Sequence, residues 1–276
     1  MIPAFRFELV RLGSVRSTRR LGAVAVVSST LIALAVSLLL PQLMNAYAHR
    51  MAVVPPRLMH LAAGLLPVLP FLPVAACAGL VGFLSGASER RRGSAYVTFL
   101  AIPRRGTVLA ARSLVIVGYA LAVALLTMGV TTGLAAAERA LRGSDGHVKH
   151  ASTTSASGVT LVGALLMVVV FACYGLAIGT SVRRKPIALA LLLLLPWLVE
   201  PAARVLATRI STPALLHPML RTMPFSGAWE SLALAGSASG NLALRFMNFA
   251  LDAWPLLAMV TVMMLGGAVL MSRRDA

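Results

Sequence analysis

Charge is scarce in this sequence, and acidic charge scarcest: 12% of the 276 residues are charged, and Asp and Glu together number 8. A soluble domain carries roughly 25% charged residues, so this chain lacks the polar surface needed to face water all round. Cysteine is nearly missing too. Cys77 and Cys173 each stand inside an apolar run, which excludes a metal knuckle or a disulfide framework and leaves them as small apolar fillers. Aromatics make up 6% and are not interleaved with basic residues. That excludes nucleic acid as a partner despite the net charge of +17. No Gly-Lys pair occurs anywhere, so the usual phosphate cradle of an ATPase is absent. No serine, histidine and carboxylate set falls at compatible depth for hydrolysis. His147 and His150 with Asp145 read as a solvated loop rather than a metal site.

What is present is apolar sequence, 59% of the chain, in long runs. About 20 apolar residues in a helix cross a bilayer, and runs this long and evenly apolar suit helices rather than barrel strands. The spacing predicts an all-α polytopic membrane protein, a single transmembrane domain over residues 1–276 with spans at 21–40, 61–86, 108–136, 158–182, 186–206 and 249–272. The first run is too long for the apolar core of a secretory signal, so it reads as a retained first helix. Ahead of it, Ile2, Phe5, Leu9 and Leu12 recur at helical spacing, with Glu8 and Arg11 off that stripe. Residues 2–20 therefore predict an amphipathic helix lying in the interface.

Basic residues set the orientation. Arg6, Arg11, Arg16, Arg19, Arg20, Arg90, Arg91, Arg92, Arg104, Arg105, Arg183, Arg184, Lys185, Arg273 and Arg274 fall on one side, with Arg112 at the foot of the third span. The remaining nine are spread through longer loops on the other side. The dense side is expected to be cytoplasmic, which puts both termini inside. Trp197, Trp229 and Trp254 then fall near the outer face, as an interfacial aromatic belt would.

Pro67, Pro70 and Pro73 repeat every three residues in the second run. Either the helix proper begins near Phe71 or its outer half is broken, and the stretch is a candidate pathway wall because unsatisfied backbone at membrane depth must be buried or line a watery cavity. Residues 207–247, apolar yet interrupted by proline, glycine and charge, read as short helices dipping into the outer interface; 137–157 reads as a solvated loop. Glu200/Arg204 and Glu138/Arg142 are four apart and Arg245/Asp252 seven apart, all expected as peripheral pairs. No carboxylate is expected at mid-membrane depth, so energy for any transport must enter from elsewhere. Gly82/Gly86, Gly129/Gly133 and Gly175/Gly179 give small-xxx-small steps for close helix packing.

Residues 87–107 carry the functional signal. Ser88 and Glu89 suit the start of a short helix. Tyr96, Phe99 and Leu100 then make an apolar patch before Pro103 ends it, flanked by Arg90 to Arg92 and by Arg104 and Arg105. Such an element suits docking into a groove on a soluble partner. The stretch resembles the loop between the second and third helices of type-2 ABC exporter permeases: Glu89, Arg90, Gly93, Ser94, Phe99, Leu100, Ala101, Pro103 and Arg105 take the places of that family's recurring residues. Similarity extends to Gly175-Leu176-Ala177-Ile178-Gly179 and Arg183-Arg184-Lys185, and to the whole plan of interfacial helix, six spans and short outer helices before the last span. Arg112 follows Ala111 where many relatives have lysine after glycine, and the triple proline is a second departure.

The resemblance implies a permease subunit in the plasma membrane of a bacterium. It would pair with a second copy or a sister chain and dock onto two cytoplasmic ATPase subunits, with membrane lipids around it. Glu89, Arg90, Gly93, Tyr96, Phe99, Leu100, Pro103 and Arg105 would make the coupling contact. It implies no catalysis and no cofactor on this chain, ATP and Mg being bound by the partner. A self-sufficient carrier or channel, a membrane-embedded enzyme and a non-transporting anchor or sensor are the alternatives. Cargo is not legible.

Overall fold

The computed structural model describes residues 2–50, 68–92, 105–142, 158–182, 184–210, 224–225, 228 and 242–273. Among them there is no strand. The helices are α1 (Ile2–Ser14), α2 (Arg16–Arg50), α3 (Phe71–Arg92), α4 (Arg105–Arg142), α5 (Gly158–Ser181) and α7 (Leu242–Arg273). Between the last two runs α6, built of Lys185–Leu194, a wide-turn segment Leu195–Val199 and Glu200–Ile210. Its junction residues Leu194, Leu195 and Glu200 all have right-handed helical backbone, so α6 is one unbroken rod.

Four stretches are long and apolar enough to cross a membrane: Arg16–Leu38, Val108–Leu134, Leu161–Ser181 and Lys185–Ala203. Two shorter apolar stretches, Phe71–Ala87 and Ala253–Gly266, lie within α3 and α7. The outside of the bundle is apolar, with Val27, Leu31, Leu126, Leu198, Leu206, Val262 and Leu265 all exposed. In water such a surface would aggregate; in lipid it is the expected one. Hydroxyls along these stretches bond to their own helix, as Ser29 to the Ala25 carbonyl at 2.6 Å and Thr132 to Met128 at 2.7 Å. That removes bare polar groups from the apolar layer. The described residues are thus all helical, and their apolar helices fit a membrane-embedded protein.

α5 is the centre: 67% of its apolar stretch is buried, against 11% for α2 at the edge. It makes its most extensive contact with α3, and further contacts with α7, α4 and α6. Glycine makes the α3–α5 approach possible. A Cβ on Gly175 would collide with the Gly79 carbonyl, and one on Gly82 with that of Ala172. Gly86 and Gly179 continue the same seam. Two of the three small-xxx-small steps are therefore a single interface. The third is not: Gly129 and Gly133 meet nothing within 4 Å and face outward from α4. Spacing identifies close-packing capacity but not which face of a helix is occupied.

Several boundaries move. α2 and α4 run past their apolar cores to Arg50 and Arg142, α2 in spite of Pro41. Among the described residues the helix that follows the triple proline begins at Phe71, and residues 51–67 before it lie outside them. Phe71 and Leu72 donate to the Val68 and Leu69 carbonyls at 2.9 and 3.2 Å, closing a turn that ends at Pro70. Pro73 occupies the first helical turn, where its missing N–H is one of the unpaired donors anyway. Pro70 is buried and Pro73 half-buried, while Pro67 lies outside the described residues.

Candidate functional site

Of the docking segment, Gly93, Tyr96, Phe99, Leu100 and Pro103 lie outside the described residues, and the structure places its two ends. Glu89 and Arg90 belong to the last turns of α3, which runs unbroken to Arg92. Ser88 and Glu89 therefore do not start a separate helix. No residue from Ser88 to Arg92 breaks a helix, and Gly93 is the first with a strong tendency to do so. Arg105 opens α4. The segment is thus a strap between the ends of two helices that both pack on α5.

Seven residues into α4, about 10 Å along its axis, stands the feature that the sequence reading missed. Arg112 Nη2 donates to Glu8 Oε1 of α1 at 2.7 Å, with 1% and 2% of the two side chains exposed. Arg11 Nη1 reaches the same carboxylate at 3.0 and 3.2 Å. Two turns further along the same face, Tyr119 Oη donates to the Thr18 carbonyl at 2.8 Å, where α1 has already turned into α2. Gly22 makes room for that hydroxyl, since a Cβ there would lie 2.6 Å from it. The elbow itself is stapled by Arg19 Nε donating to the Gly13 carbonyl at 2.7 Å. α4 therefore grips both arms of the elbow, one with an ion pair and one with a hydroxyl.

Glu8, off the apolar stripe, points inward, whereas Phe5 and Leu9 of the stripe are exposed together with Phe7 and Val10. Only Leu12 of the stripe packs against the core among those whose side chains are described. A buried ion pair outweighs the apolar preference here because apolar side chains lose nothing in lipid, while a bare carboxylate there is costly. A signal existed in the sequence. Arg112 lies inside the apolar stretch Val108–Leu134, and an arginine at that position demands a partner. Glu8 is the only acid before Glu89.

A second polar joint closes the other half of the bundle. Phe225 and Ala228, from the connection between α6 and α7, are fully buried. Phe225 packs against Phe171 and Tyr174 with ring centroids 5.0 and 4.9 Å apart, and Trp197 lies 6.0 Å from Phe171. Phe171 is thirteen residues into the 24 of α5, about 20 Å from one end and 15 Å from the other. Phe225 therefore sits level with the middle of α5; the rest of the connection, Pro224 and Ala228 apart, lies outside the described residues. The Phe225 N–H donates to Glu200 Oε2 at 3.0 Å and Oε1 at 3.3 Å.

Glu200 is buried and falls within the apolar stretch Lys185–Ala203, three residues from its end. The Arg204 side chain expected to pair with it lies outside the described residues, as do those of Glu138, Arg142, Arg245 and Asp252. The wide turn of α6 has a plain cause. Pro196 and Pro201 both lack an N–H, so the regular ladder fails twice within five residues; the Glu200 N–H reaches back five to Leu195 instead. Tyr174 Oη donates to the Leu191 carbonyl at 3.1 Å beside this bulge. Such bulges recur at functional positions. Trp197 is half-buried against Phe171, Trp254 is exposed, and Trp229 lies outside the described residues.

Among the described residues no three His, Cys, Asp or Glu side chains group as around a metal ion. Cys77 and Cys173 are free thiols, the first buried and the second half-buried. Compared with models of protein families the sequence matches none, and it matches no curated protein either.

Proposed function

We propose that this chain is the membrane subunit of an ATP-driven exporter of the type-2 ABC class, forming the substrate path and drawing energy from a separate cytoplasmic ATPase. Six spans fit this reading: the four long apolar stretches, plus α3 and α7, whose 22 and 32 residues extend about 33 and 48 Å. Both termini are then cytoplasmic, in a bacterial plasma membrane. A second copy or sister chain completes the pathway, and ATP with Mg sits on two motor subunits beneath.

The observation that carries the proposal is the Glu8–Arg112 ion pair. The docking strap, Glu89 through Arg105, feeds directly into α4, and two turns later α4 holds α1. A push on the strap therefore moves α4, the elbow and the start of α2 together rather than one helix alone. Motion of that kind is what rigid-body switching between inward- and outward-open states requires. The docking residues remain Glu89, Arg90, Gly93, Tyr96, Phe99, Leu100, Pro103 and Arg105. The chain is expected to co-purify with an ATPase whose hydrolysis it stimulates. Glu89→Arg or Phe99→Asp should abolish that stimulation while the chain still inserts; full transport by the purified chain alone would overturn the proposal.

One observation favours a second reading. Glu200 is a buried carboxylate inside an apolar stretch, and proton-driven carriers use such a group. Flux through the reconstituted chain that follows a proton gradient and vanishes in Glu200→Gln would select that reading.

A further inference from the structure

The segment from Arg6 to Arg20 holds five arginines and one acid, Glu8. The fold removes the acid from view: Glu8 is turned onto Arg112 and Arg11. Arg6, Arg16, Arg19 and Arg20 are exposed, and no ion pair engages any of them among the described residues. Arg16, Arg19 and Arg20 fall at i, i+3 and i+4 on the first turns of α2, so they share one face at the start of the apolar stretch Arg16–Leu38. That level is where phospholipid headgroups lie when the stretch spans a bilayer. Beside them α1 exposes Phe5, Phe7, Leu9 and Val10, side chains that water would reject and an acyl layer accepts.

From these we infer that the elbow of α1 and α2 is a docking surface for anionic phospholipid, the phosphate meeting Arg16, Arg19 and Arg20 and the chains packing beside α1. Charge complementarity selects the lipid. The surface is cationic with its one carboxylate hidden, so a zwitterionic headgroup gains little from it, while each basic contact with an anionic headgroup adds several-fold in association. Arg19 is already anchored through Nε on the Gly13 carbonyl, which leaves its two terminal nitrogens for a phosphate, the bidentate geometry arginine favours. Occupancy would hold α1 at the membrane surface and so fix the arm that Arg112 grips. The inference adds a lipid requirement to the proposed exporter, but it stands on the elbow's own charges.

The test uses the full chain with Cys77 and Cys173 replaced by alanine and a bimane on Val10→Cys. It is reconstituted in phosphatidylcholine containing a minor fraction of chain-spin-labelled phosphatidylglycerol or spin-labelled phosphatidylcholine. Stronger quenching by the anionic label is expected, with the ratio of apparent association constants falling at least about fivefold in the R16Q/R19Q/R20Q variant. Equal quenching by the two labels, no quenching by either, or a preference that the triple variant keeps would each overturn it. Should the variant fail to insert, a salt titration of the parent chain decides: a preference unchanged at high salt overturns the inference, one that collapses supports it. No ATPase enters this readout, so failure here leaves the exporter reading standing, and loss of ATPase stimulation leaves this one standing.

Discussion

Two interfaces of this bundle are made of opposite materials. The α3–α5 seam is glycine against backbone, with Gly175 on Gly79 and Gly82 on Ala172. The joint of α4 with α1 and the start of α2 is a few directional polar contacts, Arg112 to Glu8 and Tyr119 to the Thr18 carbonyl. In lipid, apolar surface has no drive to leave its surroundings, so helices associate through close packing or through hydrogen bonds. A close-packed seam loses contact as soon as either helix slides, because dispersion falls steeply with distance. A polar joint with two anchors can pivot and still keep both. The first makes a fixed core of α3 and α5. The second makes a mount for the amphipathic helix, and the Phe225–Glu200 contact plays a similar part for the connection before α7.

The largest expected effect lies in the seam. Gly175→Val puts carbon where the Gly79 backbone already stands, and no rotamer change relieves a backbone clash. A cost above about 3 kcal/mol is expected, beyond ordinary overpacking, seen as loss of monodisperse protein in detergent and a lowered unfolding midpoint. A tolerated valine would mean that α3 and α5 are held mainly by something else.

Next comes the ion pair. Arg112→Met leaves a carboxylate that is 2% exposed with Arg11 still on it; a buried charge left wholly alone costs about 3–5 kcal/mol, so a loss near the bottom of that range is expected. The double variant Glu8→Leu/Arg112→Met should recover most of that, since replacing both charges by apolar groups is often neutral. The comparison sharpens if the recovered double variant unfolds normally yet fails to couple to an ATPase. Stability would then be separable from transmission, which the seam does not allow.

How legible these two interfaces were differs for a physical reason. Helix existence, the all-α class and the glycines at 82, 86, 175 and 179 could be read because they follow from local composition and spacing. Which side of α1 faces inward could not. Its apolar stripe points to a core in water but to either side in lipid, so Phe5 and Leu9 were free to turn out once Glu8 found Arg112. The partners are 104 residues apart, and no local pattern links them. The depth reached by Phe225 was hidden likewise, because a short apolar element in a loop reads the same whether it rests on a bundle or enters it. The bulge in α6 was written plainly, by two prolines five apart, but spacing of apolar residues does not register backbone donors.

The second polar joint gives a smaller expected effect. Glu200→Ala leaves the buried Phe225 N–H without that acceptor, at a cost of about 1–3 kcal/mol. Glu200→Gln keeps an acceptor and should cost about 1 kcal/mol. The check is local. A thiol-reactive label at Ala228→Cys, buried in the parent, should react faster in Glu200→Ala, while the overall unfolding midpoint moves less than in Arg112→Met. Equal labelling would mean that the aromatic contacts with Phe171 and Tyr174 alone hold the connection.

Smaller still is the hydroxyl at the elbow. Tyr119→Phe removes one hydrogen bond to the Thr18 carbonyl, about 1 kcal/mol. Gly22→Ala should cost a similar amount by pushing the same hydroxyl away, so the two substitutions together should cost much less than their sum. At the end of the scale stands Gly129→Leu, on an outward face of α4 with nothing within 4 Å, where a change within about 0.5 kcal/mol is expected. This last variant separates seam glycine from surface glycine within one chain. If Gly129→Leu left the unfolding midpoint untouched but broke a complex of two chains in cross-linking, the outward glycines of α4 would form a second seam, between copies. Dispersion would then hold both the core and the assembly, leaving the polar joints as the only parts free to pivot.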